Sequence, residues 1–80
     1  MNKRQMIEDH LDKAHRHVAT GQECIERQRA VITRLEAIGL DTQQARALLS
    51  LFLDLQEKHV RDRADLALEL YQYSEKSRQV

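Results

Sequence analysis

The sequence has no proline and only two glycines, Gly21 and Gly39. A β-rich fold would need a turn residue at nearly every reversal, so a sheet built on tight turns is excluded. The single cysteine, Cys24, excludes an internal disulfide framework. Neither sign of charge is in surplus: 13 Lys and Arg balance 13 Asp and Glu. The two signs do not segregate either, with seven basic and six acidic residues in 1–38 and six and seven in 39–80. Without a basic arm or stripe, the electrostatic footprint of nucleic-acid binding is missing, as is a polybasic segment for an anionic membrane. No apolar run approaches the roughly 18 to 20 residues that span a bilayer. The segment from Met1 to Met6 leads into charged sequence instead of an apolar signal core. No nucleic-acid or membrane partner is therefore expected, and the expected location is the cytoplasm.

What remains is helix-forming material. Charged residues make up 32% of the chain, and Gln, Leu and Ala are plentiful; all of these favour helix. Residues 3–38 carry one unbroken pattern. Ile7, Leu11, Ala14, Val18, Gly21, Ile25, Gln28, Ile32 and Leu35 recur in alternating steps of four and three, the heptad seam of a packed helix. Asn2, with Gln5 three residues on, suits the start. Gly39 suits the left-handed conformation that ends a helix, and Leu40 can fold back on Leu35. Asp41 suits an N-cap, with Gln44 completing a capping box.

These signals predict an all-α chain of one domain, residues 1–80, with helices at 3–38 and 42–77 and a turn at 39–41. A connection that short makes the helices antiparallel neighbours. The second seam is read as Ala45, Leu48, Phe52, Leu55, His59, Asp62, Leu66, Glu69 and Tyr73. With the turn centred on residue 40, Ile32 should face Leu48, Ile25 Leu55, Gly21 His59, Gln28 Phe52 and Val18 Asp62. Acid-before-base pairs four apart, such as Asp54 with Lys58 and Glu57 with Arg61, mark solvated faces.

The apolar set is wider than one seam. Leu48, Leu49, Leu51, Phe52, Leu53 and Leu55, followed by Val60, make the second helix apolar nearly all round, as suits a helix with neighbours on two sides. A hairpin this small also lacks a core that would stabilise it alone. The expectation is a homodimer forming a four-helix bundle, with that set as its interface; a different protein partner would meet the same need.

Gly21, Gln28, His59 and Asp62 interrupt the seam. Buried polar residues of this kind fix register and oligomer state. A metal or small-ligand site using His17, His59 and Asp62 is the lesser reading. Bundle metal sites draw inward carboxylates and a Glu-x-x-His pair from facing helices, and His59-x-x-Asp62 is the nearest echo here. Nothing marks a catalytic residue or a cofactor: a reactive thiolate needs an electropositive cleft, and Cys24 beside a helical seam suits a small interfacial hydrophobe.

The run His17-Val18-Ala19-x-Gly21, Ile25-x-Arg27-Gln28-Arg29, Leu35-Glu36, Gly39-x-Asp41-Thr42 and Ala45-Arg46-x-Leu48-Leu49 resembles a family of short uncharacterised bacterial proteins. Phe52, Leu55-Gln56, His59-Val60 and Asp62-Arg63 continue the likeness, which covers roughly residues 11 to 70. The resemblance implies that Gly21, Gln28, His59 and Asp62 belong to a family pattern, and it implies no activity.

Overall fold

The computed structural model describes residues 2–78, the side chain of residue 77 aside; Met1, Gln79 and Val80 of the expected domain lie outside the described residues. Helix α1 runs Lys3–Ala37 and helix α2 runs Gln43–Arg78. They lie against each other as an antiparallel hairpin measuring 65 × 17 × 14 Å. A helix of this length accounts for roughly 54 Å of the long axis at ~1.5 Å per residue.

Local signals set both ends of α1. The Asn2 side chain accepts the Gln5 N–H at 2.8 Å, satisfying one of the donors a helix start leaves unpaired. At the other end Gly39 has φ +75°. Its N–H donates to the Glu36 carbonyl at 3.1 Å, and the Leu40 N–H donates to Leu35 at 2.9 Å. These two bonds are the Schellman closure that left-handed glycine permits. Any side chain at residue 39 would be strained in this backbone whatever the space around it. Gly39→Ala is expected to lower stability by about 1 kcal/mol, read as a fall in the thermal midpoint; an unchanged midpoint would show that the turn does not depend on this conformation.

The start of α2 differs slightly from expectation. The Arg46 N–H donates to the Thr42 carbonyl at 2.8 Å, which makes Thr42, not Asp41, the N-cap. The Asp41 carboxylate accepts the Gln43 N–H at 3.0 Å from one position further out. Arg46 then pairs with Glu36 across the turn.

The core is thin. Among the described residues only Ile7, Ala14, Ile25 and Ile32 are buried, and all four belong to α1. The whole α1 seam, from Ile7 to Leu35, is buried or half-buried.

The α2 seam corrects the expected one at every second position. Ala45, Phe52, His59, Leu66 and Tyr73 are half-buried as expected, but between them lie Leu49, Gln56, Arg63 and Leu70. Leu48, Leu55, Asp62 and Glu69 are exposed. Each alternative set holds two leucines and two polar residues, so apolar content does not choose between them. The polar members do. Asp62 and Glu69 would carry carboxylates into the seam, where an unpaired charge is costly. Arg63 can keep its head in water while its stem packs, and Gln56 finds a partner inside.

Candidate functional site

The middle of the hairpin is where the polar residues gather. Gln56 reaches across the seam, and its Nε2 donates to the Val18 carbonyl at 2.8 Å. Its Oε1 is buried and accepts no hydrogen bond from a described residue. Gly21 lies directly opposite: a Cβ on residue 21 would stand 1.9 Å from that oxygen. Gly21 therefore makes room for Gln56, not for His59. Nor does Val18 face Asp62; both expected pairings slip by about one helical turn. Gln28 is not set against Phe52 either, since its Nε2 donates to the Ala45 carbonyl at 2.8 Å.

His59 instead meets His17. The ring centroids are 5.2 Å apart, with the planes tilted by 46°. His17 is exposed and His59 half-buried. The pair sits between two openings on one side of the hairpin. Towards the turn, a cleft of about 180 Å³ is bounded by His17, Cys24, Phe52, Leu55, Gln56 and His59 among others. Away from the turn, a shallower one of about 380 Å³ is lined by His10, Lys13, His17, His59, Asp62, Asp65 and Glu69, with Ala14 and Leu66 at its floor. Of the expected metal candidates, His17 and His59 come together. Among the described residues no three His, Cys, Asp or Glu side chains are grouped as a metal site requires.

Gln56 and Gly21 make a testable couple. Gly21→Ala gains about 1 kcal/mol of helix propensity but pushes the Gln56 amide off Val18, which costs about as much. The single substitution should be near neutral, whereas in a Gln56→Ala background it should stabilise by about 1 kcal/mol. Equal effects in both backgrounds, measured by chemical denaturation, would show that the two residues do not interact.

The expected interface residues divide. Leu49 and Phe52 are half-buried in the intramolecular seam and are corrected out of the free surface. Leu48, Leu51, Leu53, Leu55 and Val60 are exposed. Leu48, Leu51 and Leu55 follow one another at steps of three and four, so they form one stripe. That stripe is on the side where Leu55 borders Cys24. Val31 and Ile38 continue the Cys24 column of α1 at seven-residue steps. Leu53 and Val60 lie on the opposite flank of the α2 seam.

No protein-family model, curated protein or solved structure matches the chain. Among the described residues no helix is long and apolar enough to cross a membrane.

Proposed function

We propose that the chain is a non-enzymatic interaction protein that works as a homodimer, two hairpins forming a four-helix bundle through the side that carries Leu48, Leu51 and Leu55. The observation that carries this reading is surplus surface. A compact chain of this mass exposes about 5,000 Å², whereas this one exposes 6324 Å². The excess, about 1,300 Å², is larger than the roughly 800 Å² that each partner contributes to a standard interface. The surplus includes large apolar side chains: Leu51 is 65% exposed, Leu55 50% and Ile38 66%. Patches of this kind mark interaction sites, and four buried residues are a poor core for an independent monomer. A second copy brings the same stripe and is self-complementary about a two-fold axis. On this reading the finished bundle docks on or regulates a partner.

If association completes the core, stability depends on protein concentration by mass action. The thermal midpoint, followed by circular dichroism, should rise steadily over a hundredfold increase in concentration. A midpoint independent of concentration over that range would count against the dimer.

A further inference from the structure

The side of the hairpin that carries the leucine stripe changes character along its length. From the turn to mid-rod it is mostly apolar, with Ile38 and Val31 beside Arg34 on α1 and Leu48, Leu51 and Leu55 on α2. Beyond mid-rod it is charged, with Lys13 on α1 and Asp62, Asp65 and Glu69 on α2. His17 and His59 stand at the division, and both openings border them.

This division decides how two copies pair. If they ran in opposite directions about the middle, each leucine stripe would lie on the partner copy's carboxylates, which would lose water without gaining a partner. If they run in the same direction, each leucine stripe on α2 lies over the apolar Cys24, Val31 and Ile38 column of the other copy's α1. A two-fold axis along the rod also places α1 of one copy over α2 of the other. Basic Lys13 then stands opposite the acidic row of the second copy, an arrangement of complementary charge. The same operation sets each His17 opposite the other copy's His59.

We propose that two copies pair side by side with their turns at the same end, and that the two His17–His59 pairs form one four-imidazole site for a borderline divalent cation such as Zn²⁺ at the middle of the dimer. The inference rests on the homodimer reading. One hairpin supplies only two imidazoles, already 5.2 Å apart between centroids, and tetrahedral zinc takes four nitrogen or sulfur ligands. The second copy completes the set. Imidazole suits zinc, copper and nickel, whereas magnesium and calcium require oxygen ligands.

The test uses untagged protein in EDTA, then with zinc chloride or magnesium chloride, followed by calorimetric titration and sedimentation equilibrium. The expected result is one zinc per two chains, a raised thermal midpoint with zinc and none with magnesium. His17→Ala, at an exposed position, should weaken zinc binding at least tenfold, and His10→Ala should leave it unchanged. Turn direction is read separately by energy transfer between dyes on Asp41→Cys, Cys24→Ser chains. Transfer should be efficient with the turns together and absent with them apart by most of the 65 Å rod. A dimer in EDTA that ignores zinc, binds one zinc per chain, or loses zinc on His10→Ala overturns the site and leaves self-association standing. Turns held apart overturn the pairing direction. A chain that is monomeric in both EDTA and zinc overturns the site and the homodimer together, while a dimer that forms only with zinc supports the site.

Discussion

Replacing Leu51 by glutamate and Leu55 by lysine together should weaken self-association by more than a hundredfold and leave each hairpin helical. Leu51 and Leu55 are 65% and 50% exposed in the single hairpin, so neither holds α1 to α2. In the bundle both would be buried, and burying a leucine contributes about 1.5 to 3 kcal/mol. Each leucine is already partly covered, so about half of that remains to be gained per side chain; with both copies substituted the loss is still at least about 3 kcal/mol, and each 1.4 kcal/mol is tenfold in affinity. A glutamate four residues before a lysine is the favourable order on a helix, and the pair leaves the net charge at zero. The effect is therefore directed at the interface and not at helix formation. Sedimentation of the variant across a concentration series gives the dissociation constant. A constant within threefold of the unmodified chain would mean that the stripe is not the contact.

Ile25→Ala acts at the other level of the structure. Ile25 is 5% exposed and sits at the centre of the α1 seam. Truncating a buried isoleucine costs about 2 to 5 kcal/mol, through lost transfer energy and the cavity left behind. The four buried residues are few, so this one loss is a large share of what holds the helices together. Leu68→Ala is the matched control: Leu68 is 54% exposed, away from both the seam and the leucine stripe, and should change stability by no more than about 0.5 kcal/mol. Denaturant titration of the two variants compares them directly, and equal costs would mean that the seam is not the core.

How much of this the amino-acid sequence reveals varies with the element. The α1 seam was readable residue by residue, because its four-and-three steps run unbroken from Ile7 to Leu35 and no second face carries as long a run of large aliphatic side chains. The turn was readable because left-handed glycine followed by Leu40 and Asp41 leaves few alternatives. The α2 seam was only half readable. In Leu48 to Leu55 nearly every position is apolar, so periodicity cannot separate Leu48 from Leu49, and the choice falls to the polar positions further along. Asp62 and Arg63 are adjacent, and so are Glu69 and Leu70. The structure turns the carboxylates outward, and the register follows.

That one-residue change explains what the sequence reading missed at the centre. Gln56 is polar and Leu55 beside it apolar, so sequence alone favours Leu55 for the seam. The signal for Gln56 was Gly21: a helix-interior glycine opposite a long amide is consistent with an amide crossing the seam. His17 and His59 were both visible as candidates, but their contact depends on a register that the slip by one turn sets. Asp62, expected between the helices, lines the outer cleft instead.

On the proposed reading one hairpin is half of the working molecule. Sedimentation equilibrium of the untagged chain at micromolar concentration, in EDTA, tests it most directly. A mass of twice the 9.4 kDa chain is the predicted result. A single 9.4 kDa species with full helicity across the accessible concentration range, with zinc added as well as in EDTA, would contradict it.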